Sequence, residues 1–132
     1  MKFMLDTNII AYAKNHRPES VLRRFMQYRP EDMCISSITM AELEFGVYNS
    51  SKPEQNRLAL MTFLSGIEVV PFDAAAALAY GGIRADLTKK GNLIGGNDML
   101  IAAHAKTLDL TLVTNNTREF NRVEGLKIEN WV

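Results

Sequence analysis

Three acids stand where apolar segments give way to helical patterns. They are Asp6 in Met4-Leu5-Asp6-Thr7-Asn8, Glu42 in Ser37-Ile38-Thr39-Met40-Ala41-Glu42-Leu43, and Asp98 in Gly95-Gly96-Asn97-Asp98-Met99. Gathered together, they would form the all-oxygen donor set that hard ions such as Mg²⁺ or Mn²⁺ prefer. Such an ion lowers the pKa of a bound water and offsets charge on a phosphate during in-line attack; two ions about 4 Å apart do both. Each acid also has a purely local explanation. Asp6 and Asp98 precede apolar helical patterns as N-caps do, and Thr39-Met40-Ala41-Glu42 spells a capping box.

Two details favour chemistry over capping. Asp98 precedes Ile101, Ala102 and Ala105 at intervals of three, four and seven, which puts it at the head of a buried stripe. Glu42 shares its side of a helix with Ile38, Phe45 and Gly46. A carboxylate beside a core must be hydrogen-bonded, paired or metal-bound. No Lys or Arg lies within four residues of Glu42 or Asp98 to serve as a helical partner. Zinc is poorly supported by one cysteine, Cys34, and two isolated histidines, His16 and His104, of which His104 reads as a packing or capping residue. Gly91-Asn92-Leu93-Ile94-Gly95-Gly96-Asn97 lacks the Lys-Ser/Thr of a P-loop, no G-x-S-x-G elbow is present, and a buried Cys34 is a poor nucleophile.

The elements that must position these acids follow from the apolar pattern. Phe3-Met4-Leu5, Met33-Cys34-Ile35, Ile67–Val70, Thr111-Leu112-Val113 and Lys127-Ile128-Glu129 read as strands. Between them, helices are expected from Ile9 to Asn15, about Glu19 to Tyr28 with Pro18 in the first turn, and Ile38 to about Asn49. Further helices are expected after Pro53 with Leu58, Leu60, Met61 and Leu64 on the apolar side, from Ala74 to Lys89, and from Asp98 to Leu108. Short apolar strands without alternation, separated by helices, imply an α/β fold: one domain over residues 1–132, with a central, mostly parallel sheet of four to five strands between helical layers. Ligands in such sheets sit beyond the carboxyl ends of the strands. Asp6 and Asn115-Asn116 follow strands directly and Glu42 lies one turn into the next helix, so three pieces of the site share an edge. The position of Asp98 does not follow from this pattern. The Gly81-Gly82 pair, costly in a helix, suggests close helix packing, including across a subunit interface.

Composition narrows the class. With 47% hydrophobic and 23% charged residues, the 132-residue chain has the make-up of a single globular domain. No apolar stretch approaches the ~20 residues that span a bilayer. An acid at position 6 leaves no room for a signal peptide's apolar region, and a lone cysteine fits a reducing cytoplasm. The net charge is zero, yet setting aside Asp6, Glu42, Asp98 and Glu119 leaves 15 basic residues against 11 acids. The bases bunch as Arg17, Arg23 and Arg24, as Lys89 and Lys90, and around Arg118; they are candidate RNA contacts or ordinary solvated helix faces.

Four ordered motifs together resemble the PIN-domain family, and within it the VapC toxins of bacterial toxin–antitoxin pairs. They are Met4-Leu5-Asp6-Thr7-Asn8; Ser36-Ser37-Ile38-Thr39 leading to Glu42-Leu43 and Gly46; Ile94-Gly95-x-x-Asp98 with Ile101-Ala102-Ala103-x-Ala105; and Leu112-Val113-Thr114-Asn115-Asn116-x-x-Glu119-Phe120. The resemblance implies an Mg²⁺- or Mn²⁺-dependent endoribonuclease that leaves 5′-phosphate and 3′-hydroxyl ends on structured RNA. It implies a VapB-type antitoxin partner, a homodimer, and a larger complex with the antitoxin on operator DNA. Similarity to enteric members points to the anticodon loop of a tRNA, initiator tRNA in particular. The family's three main acids fall on Asp6, Glu42 and Asp98. Its fourth falls on an amide, Asn116, with Glu119 three residues on, and Asn8 and Thr114 become groups that orient the acids. Two alternatives stay open. A receiver-like Mg²⁺-binding module would need paired acids after strand one and a lysine after strand five, which this chain lacks. A non-catalytic scaffold would leave the acids without a purpose.

Overall fold

The computed structural model describes all residues from Met1 to Val132. Five strands, β1 (Phe3–Leu5), β2 (Met33–Ser36), β3 (Glu68–Val70), β4 (Thr111–Val113) and β5 (Ile128–Glu129), form one sheet in the order β3-β2-β1-β4-β5. Every pairing is parallel. Seven helices connect them: α1 (Thr7–Asn15), α2 (Glu19–Phe25), α3 (Ser37–Tyr48), α4 (Pro53–Phe63), α5 (Ala74–Lys89), α6 (Gly96–Thr107) and α7 (Thr117–Phe120). No helix is long and apolar enough to cross a membrane.

The pleat of β1 explains the two-sided core. Phe3 and Leu5 pack with Ile9, Ile10, Val21, Leu60 and Trp131 on one face, while Met4 packs with Cys34, Leu87, Ile101, Leu112 and Phe120 on the other. Burial pushes the Cys34 thiol up to about 12, so it remains an inert core residue. Chain order reverses direction between β1 and β4, the point at which parallel sheets open a crevice at their carboxyl edge.

Several expectations are corrected. Pro18 is the extended N-cap of α2 rather than a first-turn residue, and that helix stops at Phe25, short of Tyr28. β3 is a half-exposed edge strand, because nothing pairs beyond it. On α4 only Leu60 and Leu64 of the anticipated stripe are buried; Leu58 and Met61 face outward beside exposed Tyr48. A Cβ added at Gly81 or Gly82 would meet nothing within 4 Å, so the pair serves no close packing inside the molecule.

Candidate active site

Asp6 follows β1 at the switch point. Its Oδ1 accepts the Thr7 amide at 2.7 Å, and its Oδ2 accepts the Thr114 hydroxyl at 2.9 Å from the end of β4. The register Leu5↔Val113 brings these two strand ends side by side. Asp6 is therefore an N-cap and an inward-facing acid at once, and only 5% exposed. Burial raises its pKa; the hydrogen bonds from Thr114 and Thr7 oppose that rise, and the charge of Glu42 adds to it.

Glu42 and Asp98 have no capping role. Ser36 caps α3, its Oγ accepting the Ile38 amide at 3.1 Å, so Glu42 lies in the second turn. The Glu42 oxygens are held from outside the helix instead: Oε1 accepts the Thr7 hydroxyl at 2.5 Å and Oε2 the Asn97 amide at 3.4 Å. On α6 the N-cap is Gly95, and Asp98 is the third helical residue. Because β4 is parallel to β1 and follows α6 directly, α6 must start at the carboxyl edge of the sheet, and this carries Asp98 to the site.

The fourth corner is mixed. Asn116 Nδ2 donates to Glu119 Oε2 at 2.9 Å and lies 3.5 Å from Asp98 Oδ2, while its backbone amide donates to Thr114 Oγ at 3.0 Å. Burial pushes Asp98 up to about 6, assisted in turn by Asp6, Glu119 and Glu42. Every charge acting on Asp98 is thus another acid, and no Lys or Arg offsets them. This uncompensated oxygen set suits a hard divalent cation, with Asp6, Asp98 and Glu42 as principal donors and Asn116 and Glu119 at the side. The acids share one edge without closing into a preformed three-carboxylate cage.

Other anticipated residues fall differently. Asn8 is exposed and bonds none of the acids; the neighbouring hydroxyl of Thr7 reaches Glu42 instead. Thr7 and Asn97 had no local signal, since each meets its acid only through tertiary contact. Arg24 already has partners within the chain: its guanidinium is bonded to Glu129 and lies 5.6 Å over the ring of Trp131. Lys90 pairs with Asp86 at 3.0 Å and faces Glu124 at 3.8 Å, and adjacent Lys89 is exposed at the end of α5. Arg23 pairs with Glu19 at 3.2 Å on an open surface. Arg17 and Arg118 are exposed, Arg118 next to Glu119. Lys14 lines the recess that Thr7 and Glu42 also line.

The PIN domain model matches residues 3–126. Ribonuclease VapC2 of Haemophilus influenzae is 48% identical over 132 residues, covering 100% of this chain and 99% of that protein. The tRNA(fMet)-specific endonuclease VapC of Shigella flexneri is 47% identical over 131 residues, 99% and 98% of the two chains. Among solved structures, VapBC2 from Rickettsia felis bound to a promoter DNA fragment superposes with a TM-score of 0.92, at 45% identity and full coverage of both chains. These likenesses support the nuclease reading and give none to a receiver-like module or an inert scaffold.

Proposed function

The chain belongs to the PIN-domain family, in its VapC branch, and from that membership and its acidic edge we infer a metal-dependent endoribonuclease, the toxin of a toxin–antitoxin pair. The observation that carries the reading is Asp98, half-buried and facing three other carboxylates with no cation among them. Mg²⁺ or Mn²⁺, when bound, supplies the positive charge that lowers the pKa of water and offsets the phosphate. Asp6 and Asp98 are the residues that would hold it. Glu42, its carboxylate aimed by Thr7 and Asn97, positions the attacking water or takes its proton. Asn116 holds Glu119 toward Asp98 through one amide. Attack at phosphorus with departure of the 3′ oxygen leaves 5′-phosphate and 3′-hydroxyl ends.

The substrate reading is structured RNA; initiator tRNA is favoured by 47% identity to a tRNA(fMet)-specific endonuclease, and the anticodon loop is what the resemblance to enteric members implies. Single-stranded loops present unstacked bases that such a cleft can reach. Lys14, which shares a recess with Thr7 and Glu42, and exposed Arg118 beside Glu119 are the bases placed to meet phosphates; exposed Arg17 is a further candidate. A VapB-type antitoxin is the expected partner, together with operator DNA. A homodimer is favoured by α5, where Leu78 is 81% exposed and open space faces Gly81 and Gly82. Reduced cytoplasm suits the single buried Cys34.

The test is direct. Purified protein with Mg²⁺ or Mn²⁺ should cut initiator tRNA once within the anticodon stem-loop, leaving ends that a 5′-phosphate-dependent exonuclease accepts. Intact tRNA under both ions would overturn the reading. A second expectation concerns Thr114. Thr114→Val removes the hydroxyl that holds a buried carboxylate, and should weaken Mn²⁺ binding by about 10-fold or more. Calorimetric titration checks this; unchanged affinity would count against Asp6 as a ligand.

A further inference from the structure

The helices that carry Glu42 and Asp98 touch each other, and they are joined at two heights. At the mouth of the site, Asn97 Nδ2 of α6 reaches Glu42 Oε2 of α3, a long bond at 3.4 Å between exposed groups. Below it, in the core, His104 Nδ1 of α6 meets Ser36 Oγ at the start of α3 at 2.8 Å. His104 is 1% exposed and Ser36 fully buried. The spacing is symmetrical: Glu42 is six residues beyond Ser36, and Asp98 is six residues before His104. At 1.5 Å per residue, both acids stand about 9 Å along their helices from the buried bond.

The chemistry of the bond is determined by what surrounds it. Ser36 Oγ accepts the Ile38 amide at 3.1 Å and still has a lone pair and its own proton, so it bonds His104 Nδ1 in the direction that the ring's tautomer sets. Burial lowers the His104 pKa, the charge of Asp73 opposing this, and the Phe72 ring packs edge-on at 5.4 Å. Bonded through Nδ1 and packed against Phe72, the imidazole is held in place. One hydroxyl joins the end of β2, the first turn of α3 and the last turn of α6. The contact at the mouth is a different case, because any cation or proton donor engaging Glu42 competes with Asn97 for its oxygens.

We propose that the His104–Ser36 pair is a positioning device for cleavage: it sets the angle between α3 and α6 at their base and so holds Glu42 in place relative to Asp98 once the Asn97 contact is displaced. The proposal rests on the ribonuclease reading and names positioning residues for it; neither side chain touches the reacting atoms. A rotation at the buried bond would be carried about 9 Å to the acids, where sub-ångström placement decides rate.

The decisive variant replaces both partners at once, Ser36→Ala with His104→Phe. Exchanging both partners leaves no half-bonded side chain in the core; Ser36→Ala also removes the cap on the Ile38 amide, a modest cost of the kind a lost N-cap carries, so the fold should persist while the link is lost. Expected results are a kcat lower by about 10–100-fold with KM within about 2-fold of wild type, and Mn²⁺ affinity weaker by about 10-fold, as for other groups that orient ligands. His104→Asn, whose carboxamide oxygen can stand near the Nδ1 position, should keep most of both properties. A folded double variant with wild-type kcat and Mn²⁺ affinity would overturn the proposal, as would equal loss in His104→Asn and the double variant. If the double variant fails to fold, His104→Asn decides, with retained kcat and affinity in support and their loss in a folded protein against. Should the wild type cut no RNA, the functional reading falls separately, and the Mn²⁺ titrations alone decide the positioning role.

Discussion

Asp98→Asn is expected to abolish RNA cleavage, by about 10³-fold or more, while making the metal-free protein more stable. Both effects come from the same crowding of acids. Burial and three carboxylate neighbours raise the Asp98 pKa from 3.8 to about 6, so the folded state prefers the protonated form more than the unfolded chain does. That preference contributes stability fully below the unfolded pKa, and it is lost as pH rises through about 6. Two units correspond to roughly 3 kcal/mol, which solvent screening at this half-exposed position reduces to about 1 kcal/mol. Asparagine has no proton to lose. In a chelator at pH 7.5 the variant should therefore unfold about 3 °C above wild type, and near pH 4 the gap should close. Saturating Mn²⁺ should reverse the order by stabilising only the wild type. Thermal unfolding under the three conditions checks this; a variant less stable than wild type in chelator at pH 7.5 would refute it.

The largest loss of stability should come from Trp131→Ala. The indole is 2% exposed, packs edge-on against Phe3 at 5.3 Å, stacks on Tyr28 at 5.6 Å, and donates Nε1–H to Glu129 at 2.8 Å. Truncating a buried Trp costs about 3–5 kcal/mol, against a total of about 5–15 kcal/mol for an ordinary domain. Phe3 belongs to β1, so the damage would reach the strand that presents Asp6. Trp131→Phe should retain most of the packing and lose about 1 kcal/mol with the hydrogen bond. Urea unfolding of the three proteins measures both; a loss below about 1 kcal/mol in the alanine variant would show that the cluster is not a keystone of the core.

What the residue pattern discloses about this molecule depends on the range of the interaction. The strands and the following Asp6, Ser36 and Thr114 are legible because apolar runs ending at polar residues are local signals. The position of Asp98 was legible in principle: a helix leading directly into a parallel strand must begin at the sheet's carboxyl edge. The aim of Glu42 was not, since the hydroxyl that holds it lies 35 positions away and Thr39 spells a plausible cap nearby. The partner of Arg24 was hidden for a similar reason. As part of a basic cluster it reads as an RNA contact, and only the fold brings Glu129 to it across 105 positions. The α4 pattern misleads through ambiguity, because apolar residues occupy both of its sides and burial selects Leu60 and Leu64 alone.

The strand order has a consequence in time as well as in space. β1 emerges first during synthesis and takes one neighbour early, but its other neighbour is β4, whose Thr114 meets Asp6 across 108 positions. A nascent chain that has delivered Asp6, Glu42 and even Asp98 still lacks the strand that closes the crevice around them. Contacts of such long range are also slow to form, because a large loop must close first. A partly made copy of this protein would therefore carry its acids unassembled. The activity inferred for the finished fold would arise only after β4 docks, an interval in which a partner already present could reach the new chain first.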